Sequence, residues 1–233
     1  MMQMQTPPFT KTNKFILIAA LAVFLINSIL GEFSGVSLVN YLGLSSNMVI
    51  KGFVTQFFTY PLMETGFMSM LFNGLLLWFI GSELEMLWGE KFYRKYILMN
   101  ILVVGVVYFL VSLINSDMTY VPLKGLTGVN FAMLVAYGLI FSERQLTFML
   151  LFPMKAKYFC MLLAGIEVYM SLFSSYKYSA WAHLLAMVFG FTYLRYASMK
   201  SRLGSLKKET HKKKMKSKLK LVKDDDDKPK TWH

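Results

Sequence analysis

Six apolar runs punctuate this chain, and they constrain its fold more than any other feature. They are Phe15–Leu30, Phe67–Gly81, Tyr96–Ile114, Leu126–Phe141, Tyr158–Ser174 and Ala180–Ala197. A bilayer core about 30 Å thick takes about 20 mostly apolar residues per helix, and it offers no hydrogen-bond partners to free backbone groups. The pattern therefore predicts an all-α, polytopic membrane protein with six transmembrane helices. Two of the runs are short for a full crossing, which predicts helices whose ends are covered by neighbours rather than by lipid.

Charge sets the expected orientation. With the N-terminus in the cytosol, every Lys and Arg except Lys51, Lys124 and Lys177 falls on the cytosolic side. The positive-inside rule thus favours cytosolic N- and C-termini, a parity that six helices satisfy. Residues 1–14 read as a cytosolic segment and 15–198 as the membrane domain. Residues 199–233 read as a basic, disordered cytosolic tail. Lys11 and Lys14 before the first run imitate a signal peptide, but no small-x-small cleavage site precedes Gly31, so the run reads as a retained helix. The expected location is a multi-pass integral membrane protein, in the plasma (inner) membrane if the source is bacterial.

The formal net charge of +12 raises the question of nucleic acid. The basic residues cluster after Lys200 instead of lining a folded face, so no nucleic-acid partner is expected. A polybasic run just beyond a membrane helix suits anionic lipid headgroups, at roughly 1 kcal/mol per Lys or Arg near the surface. A solvated tail that only fixes topology fits equally. The run Asp224–Lys228 resembles an enteropeptidase recognition sequence and takes no part in the fold reading. Cys160 is the single cysteine, which leaves no intramolecular disulfide or thiolate metal cluster, and no cofactor is expected. Residues 31–61 are too long and apolar for a plain connector. They are expected to lie in the outer interface as short amphipathic pieces.

Polar residues inside apolar spans cost free energy and are functional candidates by default. Ser69 and Asn73, four apart, share a face of the second helix. Gly125-Leu126-Thr127-Gly128 opens the fourth, and His183 lies in the sixth. In the assigned topology these three helices all enter from the outer side, so the four polar side chains converge at one shallow depth. A hydroxyl beside an imidazole is the minimal nucleophile and base of acyl transfer. The Thr127 backbone N–H and the Asn73 amide are candidate oxyanion donors. Gly125 and Gly128 allow a substrate backbone to approach. Ala186 and Gly190 give the sixth helix a small-residue face for close contact with the fourth. Plainer roles exist for each: threonine bonds to the preceding turn, Asn73 acts as helix glue, and Ser69 packs or bonds locally. Glu167 in the fifth run is a rival site. A small-solute transporter is disfavoured by the lack of a visible inverted repeat. Zinc and aspartyl proteases lack their motifs, since no His-Glu-x-x-His helix or paired intramembrane aspartates occur.

The ordered motifs resemble those of the rhomboid intramembrane serine proteases. Phe53–Gly89 is similar to the family's first loop, second helix and following turn. Gly125-Leu126-Thr127-Gly128-Val129-Asn130-Phe131 resembles the Gly-x-Ser-Gly nucleophile motif, Phe152–Tyr158 the turn before the fifth helix, and Ala182-His183 with Ala186 and Gly190 the sixth-helix histidine motif. The resemblance implies a six-helix rhomboid-like fold and cleavage of transmembrane proteins near their outer ends. It places Thr127 at the nucleophile position, His183 at the general base, Phe131 against the imidazole and Asn73 at the oxyanion. Three departures accompany it. Threonine replaces the serine, and its extra methyl restricts χ1. Ser69 replaces the second-helix histidine, and the first-loop Trp-Arg pair is absent. Two functions follow: an intramembrane endopeptidase using Thr127 and His183, or a pseudoprotease that binds transmembrane client helices without cutting them.

Overall fold

The computed structural model describes residues 8–148, 152–174 and 177–197. The chain divides into two compact units, Met1–Thr192 and Tyr193–His233. In the second, the described residues 193–197 are helical; the basic tail expected over 199–233 lies outside the described residues.

The first unit is built from six longer helices. These are α1 (Lys11–Ser34), α2 (Phe67–Trp88), α3 (Glu90–Ile114), α4 (Thr127–Ile140), α5 (Ala156–Phe173) and α6 (residues 177–192). Among the described residues, α1, α2, α3 and α5 are long and apolar enough to cross a membrane, and α4 is apolar but shorter.

Burial explains the short α4. Nine of its residues, from Val129 to Gly138, are buried, and it packs against α2, α3 and α5. A helix enclosed by other helices has no lipid thickness to match, so 14 residues suffice. By contrast α1 buries only Asn13 and Ala20 and presents Phe15, Ile18, Leu25 and Ile29 outward.

The boundaries depart from the sequence expectation at two places. The second apolar run was expected to stop at Gly81, with a turn after it, but α2 continues to Trp88 through a π-helical turn at Leu77–Gly81. Gly81 acts there as a contact residue and not a breaker: a Cβ on it would lie 2.5 Å from the Tyr93 hydroxyl and 2.9 Å from Asn13 Oδ1. The helix ends instead at Gly89, whose φ of +78° suits glycine. The all-α expectation also omits a small antiparallel hairpin, Gln145–Phe148 with Phe152–Lys155. It follows α4, where the resemblance implied a turn leading into α5.

Within residues 35–66, Gln56 is fully buried and bonds three earlier residues. Gln56 Nε2 donates to the carbonyls of Asn40 and Tyr41, and its Oε1 accepts the Ser45 N–H. These bonds tie together three short helices, Val39–Leu42, Ser46–Ile50 and Gln56–Thr59. Leu44 and Leu123 exchange backbone hydrogen bonds, which join this segment to the strand of chain entering α4. A 3-10 turn, Tyr60–Leu62, follows. Its Tyr60 hydroxyl donates to the Ile101 carbonyl on α3 and its carbonyl accepts the Gly125 N–H.

Candidate functional site

Anchored in that way, the Tyr60–Leu62 turn directs the next residues inward, and Glu64 is 4% exposed. Its Oε2 accepts the Ser69 hydroxyl at 2.8 Å. Its Oε1 accepts the Asn73 side-chain N–H at 2.8 Å and the Leu126 backbone N–H at 2.9 Å. Both oxygens are thus engaged by protein groups. A buried carboxylate is tolerated where such donors replace its water.

The other sequence-selected residues of α2 and α4 surround this carboxylate. Asn73 Nδ2 also lies 3.0 Å from Thr127 Oγ1 and 3.3 Å from Ser69 Oγ. Asn130, on α4, donates from Nδ2 to both the Asn73 side-chain oxygen and the Asn73 carbonyl, at 2.9 and 3.0 Å. Gly125 has φ +93°, and a Cβ there would stand 3.1 Å from Glu64 Oε1. Ser69, Asn73, Gly125 and Thr127 thus meet around one group that sequence reading passed over.

His183 has a different partner. Its Nδ1 lies 3.2 Å from Glu167 Oε2 on α5, with both side chains mostly shielded. Phe131 meets the ring edge-on at 5.8 Å between centroids. The Cδ2 edge of the imidazole faces the first turn of α4, since a Cβ on Gly128 would lie 3.5 Å from it. Among the described residues no hydrogen bond joins the Thr127 hydroxyl to the His183 ring. The hydroxyl is engaged by Asn73 and the imidazole by Glu167.

Small residues set these distances. A Cβ on Gly128 would also touch Ala186 at 3.7 Å, and one on Gly190 would lie 3.1 Å from Ala132 Cβ and 2.5 Å from the Tyr96 hydroxyl. Asn100 of α3 donates to the Ala186 carbonyl, and Tyr96 to the Ala132 carbonyl. Helices α3, α4 and α6 are therefore held backbone to backbone, as membrane helices with small interfacial residues are.

Glu64 and Asn130 were missed as site residues, and Glu167 was weighed only as a competitor of His183. The available signal for Glu64 was a lone carboxylate in an otherwise uncharged stretch, Phe53 to Ile80. For Asn130 it was a second amide one turn beyond Thr127, in an apolar run.

Four helices long and apolar enough to cross a bilayer, among the described residues, mark an integral membrane protein. The chain belongs to the family described as eukaryotic integral membrane protein (DUF1751), whose model matches residues 14–219. No curated protein matches the sequence.

Proposed function

We propose that this chain is a six-span, rhomboid-like membrane protein that holds transmembrane client helices without cleaving them, with both termini in the cytosol. The observation that carries this reading is the Glu64 carboxylate seated on Ser69, Asn73 and the Leu126 N–H. In acyl transfer, donors in this position serve the oxyanion of the tetrahedral intermediate. Here they are already taken by the Glu64 carboxyl oxygens, so an oxyanion could reach them only by displacing that side chain.

Two further observations support the reading. The Thr127 hydroxyl accepts from Asn73, and among the described residues it makes no hydrogen bond to His183, the contact through which a general base takes its proton. Threonine also carries the additional methyl that narrows its rotamer choice. Client helices fit the long apolar faces that α1 and α5 present outward, including Ile26 and Ile29 on one and Ile166, Tyr169 and Leu172 on the other. The basic tail adds contact with anionic headgroups.

The test is purified, reconstituted protein with a generic transmembrane substrate, comparing the natural sequence with Thr127→Ala and His183→Ala. No cleavage by the natural chain, together with photocrosslinks from α1 or α5 to a co-reconstituted client helix, is the expected result. Cleavage that both alanine variants abolish would replace this reading with the endopeptidase.

A further inference from the structure

The geometry points to Glu64 as an internal plug on a latent acyl-transfer centre formed by Thr127, His183 and Glu167. This inference rests on the reading of the chain as non-cleaving in its resting form, and it names what holds the chemistry back.

Three parts of such a centre are in place. The first is a donor cradle: the Asn73 amide and the Leu126 N–H converge on Glu64 Oε1, and the Ser69 hydroxyl reaches Oε2, all within 2.9 Å. The second is the Thr127 hydroxyl on the rim of that cradle, 3.0 Å from the same Asn73 nitrogen. The third is the imidazole with an orienting carboxylate. Glu167 lies on Nδ1, which favours the tautomer with the proton on Nδ1 and leaves Nε2 as the acceptor. Nε2 neighbours Cδ2, the atom that faces the first turn of α4. A nucleophile, a base, and a group that orients the base are the general constellation of covalent catalysis. The oxyanion subsite is filled by a residue in the loop before α2, and the Thr127 hydroxyl, now held by Asn73, has still to turn to the imidazole.

With the cradle vacated, the step balances as follows. Thr127 Oγ bonds to the carbonyl carbon of an amide, its proton passes to His183 Nε2, and the resulting oxyanion takes the donors that Glu64 now holds. Collapse breaks the C–N bond and the amine leaves with the proton from Nε2. Water then attacks the acyl-threonine by the same route, releasing the acid and restoring the hydroxyl. Glu167 is a positioning residue in this scheme, and Glu64 is the occupant displaced.

The test uses the full chain in detergent and a fluorophosphonate probe, which needs no knowledge of a client. Thr127 Oγ displaces fluoride from phosphorus, the hydroxyl proton leaves through Nε2, and the anionic phosphoryl oxygen enters the cradle. Glu64→Ala is expected to raise the labelling rate at Thr127 roughly a hundredfold over the natural chain, as restoring an oxyanion site does elsewhere. Formate, the size of the missing carboxylate, should suppress that gain. Adding Thr127→Ala or His183→Ala should abolish it. Adding Glu167→Gln should lower it and erase the Nδ1–H signature of His183 in 15N spectra. A folded Glu64→Ala protein that labels no faster than the natural chain overturns the inference, as does a gain that survives Thr127→Ala. If Glu64→Ala does not fold, the shortened Glu64→Asp, whose carboxyl is one methylene too short to span the same donors, decides in the same way. Cleavage of a transmembrane substrate by the natural chain is a separate outcome, which sinks the non-cleaving reading.

Discussion

Gly125 is fitted to the Glu64 carboxylate: it holds φ +93°, and the place where its Cβ would sit is 3.1 Å from Oε1. Both features follow from the Gly125 N–H bonding the Tyr60 carbonyl, which brings the chain back under the turn that carries Glu64. Any larger residue here must accept an unfavourable backbone region and crowd a buried carboxyl group.

Gly125→Ala is therefore expected to destabilise the protein by about 1–3 kcal/mol from backbone strain, with crowding of the carboxylate added. Gly52 supplies the control, because it holds φ +102° with nothing within 4 Å of its missing Cβ. Gly52→Ala should cost the strain alone. Thermal unfolding in detergent measures both, and equal losses would show that the fit between Gly125 and Glu64 has no energetic weight.

At the other end of α2 a second buried polar cluster joins α1, α2 and α3. Glu85 accepts the Thr12 hydroxyl and the Asn13 amide, and the Tyr93 hydroxyl donates to Asn13 Oδ1. Asn13 is fully buried and bonds Thr10, Glu85 and Tyr93, so its loss removes three hydrogen bonds at once. Asn13→Ala should cost about 1–3 kcal/mol for the unsatisfied groups. A double-mutant cycle of Asn13→Ala with Glu85→Gln should reveal coupling of about 0.5–3 kcal/mol. Strict additivity in that cycle would argue that α1 is not held by this network.

The positions of the helices were largely legible in the sequence, because lipid solvation imposes one rule on every residue of a span. The short α4 was legible for the same reason, since an apolar run too short for the bilayer implies an enclosed helix. Convergence of Ser69, Asn73 and Thr127 followed from helical spacing and topology. Glu64 was not visible, because a carboxylate in a loop ordinarily faces water, and only the Tyr60 contacts to Ile101 and Gly125 turn it inward. Those contacts are tertiary and leave no periodic trace. The Glu167–His183 pair was hidden similarly: spacing along α5 and along α6 does not say which faces meet. Gly81 misled because a glycine in a helical pattern reads as a boundary, while its space was reserved for Tyr93 and Asn13.

The hairpin between α4 and α5 should respond to acid through one group. Hydrogen bonds from Lys155 first and Lys157 next hold the Glu143 carboxyl at about 2, below its ordinary 4.5. A carboxyl depressed in the folded state contributes stability that is present above the unfolded value and is lost as pH falls. The hairpin amides should therefore lose hydrogen-exchange protection between about pH 4.5 and 2. High salt should reduce the same protection at neutral pH, because the pair is exposed and screened. Glu143→Gln should remove the pH dependence across that window, and persistence of it would assign the effect to another group.

The glycines of the last two helices make opposite demands, which allows a paired test of helix contact. Gly165 in α5 has nothing within 4 Å of its missing Cβ, so it carries the entropic cost of glycine in a helix with no packing return. Gly165→Ala should stabilise the protein by about 0.5–1 kcal/mol. Gly190 in α6 has the Tyr96 hydroxyl at 2.5 Å and Ala132 Cβ at 3.1 Å from the same point. There the helix gain is outweighed, since Tyr96 must give up its bond to the Ala132 carbonyl or α6 must move away from α4. Gly190→Ala should lose about 1–3 kcal/mol, the range for overpacking a close contact. Movement of α6 would also shift His183 relative to Glu167, seven residues of helix away from the substitution, so the histidine resonances should change with Gly190→Ala and stay fixed with Gly165→Ala. Matched spectra for the two variants would mean that close contact between α4 and α6 does not set the position of the imidazole.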